Sequence, residues 1–364
     1  MPDKPLLIAD SHLDLGFCAL QVNRDLTVPA ATVRTHDPPS VMRTFGSCTV
    51  TFPELRKGNV GLVFGTATAK VGPKDNWTGL GMYDQTQCYG MVRGHIAYYQ
   101  AMEREGAIRM IRSTQDLDQV LASWEDPTPD TPIGLVLALE GCDGIRDPEQ
   151  VPEWYDLGVR VSGLSHYGVS RYAYGTGTDG GLKPAARPLL DAFREAGIIV
   201  DLTHLSDQSH WEVMEHYDGP VLASHSNCRA LVPNQRQLSD DMIKSIIERG
   251  GVIGAAFDVW MLDPEWGHET PAHEQITNAT LETVADHIDH VCELAGNTNY
   301  AALGTDLDGG WGTEQSPRDL NTIADLQRFA EIFTRRGYSE EDVRNVLSRN
   351  WIRLLKEVWG EKEG

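Results

Sequence analysis

Eight short apolar runs recur along the chain, each followed by polar or glycine-rich residues and then by a segment with helical spacing. They occupy residues 6–9, 60–66, 133–139, 159–164, 198–202, 220–223, 252–257 and 300–304. Segments readable as helices fall between them, at 83–105, 184–196, 207–217, 239–249 and 280–295. Strands that are apolar on both faces and alternate with helices form a parallel sheet, and eight such units predict closure into an α/β, TIM-like (β/α)8 barrel. An open doubly wound sheet is the alternative architecture. The second run has no readable helix before it. Residues 15–57, rich in Pro and Thr, show no clear period and read as a loop excursion over the barrel mouth. Helices at 319–336 and 339–357 complete the fold, the latter with an N-cap pattern at Ser339 and Asp342. No repeat, low-complexity tract or linker divides the 364 residues, so one domain over 1–364 is expected.

Composition narrows the function. The chain carries 31 Lys plus Arg against 53 Asp plus Glu, a net charge of −22, whereas nucleic acids and anionic membranes recruit basic surfaces. No stretch approaches 18 uncharged apolar residues, and the first residues lack the charged and long apolar regions of a signal peptide. A cytoplasmic enzyme is the expectation. The six cysteines form no CxxC pair, so they read as reduced, packed residues rather than a thiolate metal site.

The informative feature is where the ionisable residues stand. Six runs lead into them: Asp10-Ser11-His12-Leu13-Asp14, Glu140-Gly141, Ser165-His166, Asp201-Leu202-Thr203-His204, Ser224-His225-Ser226-Asn227, and Thr305-Asp306-Leu307-Asp308. In a barrel these ends share one face, the face where active sites are built. His12 and Asp14, two apart on an extended chain, point the same way and suit one metal ion. His204 and His225, from neighbouring strands, suit a second, with Glu140 bridging the two through its two oxygens. Imidazole and carboxylate without thiolate match zinc, with manganese or cobalt as alternatives. Ions about 3.5–4 Å apart make water nucleophilic near neutral pH and polarise a carbonyl. Asp201 is placed to orient a ligand from behind, and Asp308 to bind within its own turn. A lone histidine is usually structural, and His36, His95, His210, His216, His268, His273, His287 and His290 are read that way.

At these residues the chain resembles the membrane dipeptidase (renal dipeptidase) family of metallopeptidases, built on amidohydrolase-like barrels. The similarity runs from about residue 7 to 358 and is weakest between 16 and 79. Besides the strand-end blocks it includes Gly180-Gly181-Leu182, the stretch from Gly197 to Ser206, Asn234-Gln235-Arg236-Gln237-Leu238-Ser239, Gly250-Gly251-Val252-Ile253-Gly254 and Asn350-Trp351-Ile352-Arg353. The resemblance implies two metal ions, on His12 and Asp14 and on His204 and His225, with Glu140 between. It implies Asp306 as the acid/base, His166 as the group beside the developing oxyanion, and Arg236 as the grip on the substrate's terminal carboxylate. The implied activity is hydrolysis of dipeptides, with a C-terminal D-residue accepted, by a homodimer.

Three segments depart from the family. Residues 167–174 replace an Asn-rich loop with a tyrosine-rich one. Residues 258–275 carry Trp260, Trp266 and extra acids, and 15–57 follows its own course. These departures keep a second substrate class open, an N-acyl amino acid or a lactam. A non-catalytic metal-binding scaffold is the rival of another class, and Asp306, which the metal count does not require, speaks against it.

Overall fold

The computed structural model describes residues 4–72, 81–267 and 270–363. Eight parallel strands form the barrel: β1 (Ile8–Leu13), β2 (Val60–Thr68), β3 (Ile133–Glu140), β4 (Val159–Gly163), β5 (Ile199–Asp201), β6 (Val221–Leu222), β7 (Ile253–Ala255) and β8 (Ala301–Leu303). They pair in the order β7-β8-β1-β2-β3-β4-β5-β6. The ring closes where Ala223 bridges Ile253, with Ala223 N–H donating to Val252 O and Gly254 N–H to Ala223 O. That closure rules out the open doubly wound sheet. Every residue of β2 and β3 is buried, as strands covered by helices outside and packed side chains inside must be. The interior is tight near the closure: a Cβ on Gly304 would lie 1.7 Å from Ser224 O, so that position accepts only glycine.

The helices begin where their caps predict. Asp84, Ser206 and Ser239 accept N–H bonds two or three residues into the helices Gln85–Arg104, Asp207–His216 and Asp240–Glu248. Gly197, at φ 83°, ends the helix Ala186–Ala196 in the left-handed conformation that favours glycine. Ser339 caps Glu340–Arg344 as expected. The helical path then widens into a π turn, Asn345–Arg349, before continuing as Asn350–Glu363. At that turn Asn350 and Trp351 donate to the carbonyls of Ala301 and Leu303, tying the last helix to β8.

Three expectations need correction. The excursion is not irregular: it holds four helices, Leu15–Leu20, Ala30–His36, Pro39–Phe45 and Phe52–Lys57. Each is six or seven residues long, too short to reveal a period, and prolines open three of them. The segment 319–336 starts as a 3-10 turn at Ile323 and becomes α-helical only at Phe329–Arg335. Here Asp319 is taken up by the N–H of Leu281. A further parallel strand, Ile108–Met110, pairs with the first half of β3, and three residues gave no signal.

Asp308 also behaves otherwise than expected. Its carboxylate reaches out of its turn and accepts bonds from Thr49 N–H, Thr49 Oγ–H and Val50 N–H, with the Arg24 guanidinium 3.6 Å away. The excursion is thus latched to the turn that carries Asp306. Asp308→Ala leaves these buried donors unpaired and is expected to cost about 3–5 kcal/mol in denaturant unfolding. A loss under about 1 kcal/mol would mean that the latch carries no load.

Candidate metal centre and active site

The barrel delivers the strand-end residues to one place. His12 lies within β1 and Glu140 is the last residue of β3, so the strands extend into the polar residues rather than stopping with the apolar runs. Inward positions at that end line a site, and apolar packing is not required of them. Glu140 Oε1 lies 3.5 Å from His12 Nε2, 3.3 Å from His204 Nε2, 3.6 Å from His225 Nε2 and 3.4 Å from His166 Nε2. His204 Nε2 and His225 Nε2 approach to 3.1 Å.

Three groupings place their donor atoms within 4.8 Å of one another: His12, Asp14 and Glu140; Glu140, His204 and His225; and His12, His225 and Asp306. His12 Nε2 is buried without a hydrogen-bond partner. Nitrogens facing each other and one carboxylate oxygen, with an orphan among them, suit divalent cations better than a hydrogen-bonded network.

The far side of each ligand is fixed. His225 Nδ1 lies 2.9 Å from Ser224 Oγ, which donates to Asp201 Oδ2. His204 Nδ1 lies 3.0 Å from Thr176 Oγ, and Thr66 Oγ–H donates to Asp14. With Nδ1 engaged, Nε2 is the nitrogen left for an ion. Asp201 stands behind His225, joined to it through Ser224. Asp10 accepts from Thr305 N–H, Thr305 Oγ–H and His12 N–H, holding β1 against the segment that leads to Asp306. His204 and Asp306 adopt φ of 65° and 58°, left-handed values that non-glycine residues rarely take and that cluster at working sites.

The electrostatics report crowding of like charges. Burial pushes the Asp306 carboxyl well above its usual range, and Asp14, Glu140 and Asp258 add to the rise. Burial, with Glu140, also raises Asp14 to about 6. Burial alone would lower His12, but Glu140, Asp14 and Asp306 outweigh it and hold the imidazole at about 10. Glu140 goes the other way: His166 and His12 overcome its desolvation and keep it ionised. Burial depresses His166 to about 4 and takes His204 and His225 well below the usual histidine value. Neutral His166, His204 and His225 are in the state a cation needs, whereas His12 and the raised carboxyls of Asp14 and Asp306 hold protons that a bound cation would displace.

Beside this cluster is a cavity of about 320 Å³ that includes Asp14, Glu140, His166, His204, Arg236 and Asp306 in its lining. Arg236 is 4% exposed; it donates to His225 O at 2.8 Å and to Ser226 Oγ at 3.3 Å, while its Nε–H has no partner. All eight singled-out residues therefore meet.

Sequence reasoning missed Phe17, Lys70, Trp311 and Gln315 in the cavity lining, while Asp258 and Met261 come from the segment 258–275 that it set apart without naming a role for them. The flagged aromatics divide: Tyr167 and Trp260 line the cavity, whereas Tyr172 is buried with its hydroxyl on Ile145 O. Within 258–275, residues 268 and 269, His268 included, lie outside the described residues. His95, His210 and His287 are buried elsewhere, within hydrogen-bond distance of Thr68 N, Ser245 Oγ and Cys228 N.

A closed parallel barrel whose strand ends gather four imidazoles around a buried glutamate defines a metal-dependent hydrolase. The family model described as membrane dipeptidase (peptidase family M19) matches residues 4–363, and the chain belongs to that family. It is accordingly a metallo-dipeptidase by class. The chain is 28% identical over 265 residues to an uncharacterized protein in the pqqA 5′ region of Klebsiella pneumoniae, covering 70% of this chain and 90% of that protein. With the dipeptidase tcpJ of Claviceps purpurea it shares 29% over 238 residues, 62% of this chain and 52% of the relative, so it spans about half of that protein. A metallo peptidase from Rhodobacter sphaeroides, liganded with a phosphinate mimic of the dipeptide L-Ala-D-Ala, superposes with a TM-score of 0.79 at 21% identity. That alignment covers 98% of this chain and 100% of the other. The likeness extends the barrel comparison over the full chain. Among the described residues no helix is long and apolar enough to cross a membrane.

Proposed function

We propose that this protein is a zinc-dependent dipeptidase that cleaves dipeptides with a free C-terminal carboxylate and accepts a D-residue at that end. One observation carries the reading: the Nε2 atoms of His12, His166, His204 and His225 converge on a single oxygen of Glu140. His12 and Asp14 would hold one ion and His204 and His225 the other, with Glu140 shared. Divalent ions bound there supply Lewis acidity toward water and toward the scissile carbonyl.

The chain's own residues do the rest. Asp306 takes the proton of the attacking water and returns it to the leaving nitrogen. His166, kept neutral by burial, offers an N–H to the oxygen on which charge develops. Arg236, anchored to His225 O and lining the cavity, supplies the cation for the substrate carboxylate. The mimic bound to the Rhodobacter sphaeroides relative supports both the dipeptide and the D-residue. The six free cysteines support a reducing, cytoplasmic setting. One domain over 1–364 and a homodimer belong to the same reading and rest on the family.

The test is turnover of an L-Xaa-L-Xaa and L-Xaa-D-Xaa panel by zinc-loaded enzyme. Amidating the terminal carboxylate, or Arg236→Met, is expected to lower kcat/KM about 10- to 100-fold, the worth of charge-assisted hydrogen bonds. Silence on dipeptides with turnover of N-acyl amino acids would overturn the dipeptide assignment.

A further inference from the structure

The cavity lining contains a fourth acid that the proposed chemistry leaves without a task. Asp14 and Glu140 are placed at the ions and Asp306 at the proton transfer, but Asp258 follows β7, between the Arg236 segment after β6 and Asp306 after β8. It is 6% exposed. Its Oδ1 accepts from Gln315 Nε2 at 2.8 Å and from Trp260 N–H at 3.4 Å, and both donors are neutral. Trp260, Met261, Trp311 and Gln315 line the cavity with it, which places a buried carboxylate in an aromatic and thioether wall.

Arg236 lines the cavity, and the dipeptidase reading puts the substrate carboxylate against it. With that group held at Arg236, the segments of Asp258 and Trp311 come next around the rim and line the same cavity that the C-terminal residue would occupy. A substrate carboxylate at Arg236 adds a second negative charge near Asp258. An apolar side chain there would bury Asp258 further with no charge to meet it, and an acidic one would be repelled. An ammonium or guanidinium would pair with the carboxylate while ring faces cover its stem.

Resting on the dipeptidase reading, we propose that Asp258, with Trp260 and Trp311 as walls, selects dipeptides whose C-terminal residue carries a cationic side chain of the lysine, ornithine or arginine type. The test compares Ala-Lys with Ala-norleucine, which has the same carbon chain without the charge, in both C-terminal configurations, on the wild type and on Asp258→Asn. The wild type is expected to favour lysine in kcat/KM by at least about tenfold, and Asp258→Asn to bring the ratio near one. Because the readout is a ratio within one enzyme, a loss of folded protein cancels. A wild-type ratio near one, or one unchanged by the substitution, overturns the proposal while dipeptide turnover itself stands.

If no dipeptide is turned over, the dipeptidase reading fails separately, and thermal stabilisation of the zinc-loaded protein by free lysine against free norleucine decides. Stabilisation by lysine alone, lost in Asp258→Asn, upholds the cation site. Equal stabilisation, or none by either, overturns it.

Discussion

Replacing Asp306 with asparagine is expected to lower kcat by roughly 10²- to 10⁴-fold with a smaller change in KM, the signature of a lost proton transfer. The substitution keeps the shape and one acceptor of the side chain and removes its ability to carry a proton. The position suits the role. Asp306 Oδ1 is 3.8 Å from His12 Nε2, at the edge of the metal cluster, and the residue lines the substrate cavity. Its backbone is left-handed, and glycine at 309 leaves the carboxylate its room, since a Cβ there would lie 2.0 Å from Asp306 Oδ1. The latch through Asp308 fixes the turn from the other side. Melting temperature and bound metal should stay near wild type. Turnover within about tenfold of wild type would remove Asp306 from the chemistry, and loss of metal together with activity would make it a ligand instead.

The parts of this site that were readable share one cause. His12, Glu140, His204 and His225 stand at strand ends, where a parallel barrel imposes a common face whatever the loops do, so spacing along the chain became proximity in space. Arg236 depended on family likeness, because a polar residue in a connecting segment has no periodicity to place it; for His166 the strand end placed the residue and the likeness supplied only the role. Asp258, Trp311 and Gln315 were out of reach for a further reason. They meet only because the segments after β7 and β8 fold onto each other, as in the Gln315–Asp258 bond across 57 residues. The excursion was opaque in the same way: its six- and seven-residue helices are held by partners distant in the sequence, as where Arg34 meets Asn321, and leave no pattern of their own. What local sequence could not supply was long-range pairing between irregular segments.

Stripping divalent ions with a chelator is expected to abolish turnover and to make stability fall as the pH rises from about 6.5 to about 8.5. The sign follows from the buried groups. Burial pushes the Asp258 carboxyl up to about 7, and burial with the neighbouring carboxylates takes Asp306 well above its ordinary value. An acid with a higher pKa folded than unfolded holds its proton longer in the folded state, so raising the pH favours unfolding, for Asp258 between about 4 and 7. His12 acts in the same direction. Held at about 10 against its burial by Glu140, Asp14 and Asp306, it contributes stability fully present below about pH 6.5 and lost as the pH rises toward its folded value.

On the acid side the histidines oppose the carboxylates. Burial keeps His166 at about 4 and His204 and His225 well below their ordinary range, so protonation favours the unfolded chain below about pH 6.5. The stripped protein should therefore be most stable near the point where these slopes meet. Bound cations offset the carboxylate repulsion and need neutral imidazoles, so the loaded protein should resist alkaline conditions better. The gap in melting temperature between zinc-loaded and stripped protein should widen by several degrees across that interval, read by thermal scans at fixed metal concentration. A stripped protein whose melting temperature is flat or rises with pH would mean that the cluster is not held together by cations, and full turnover after chelation would remove the metal centre from the mechanism.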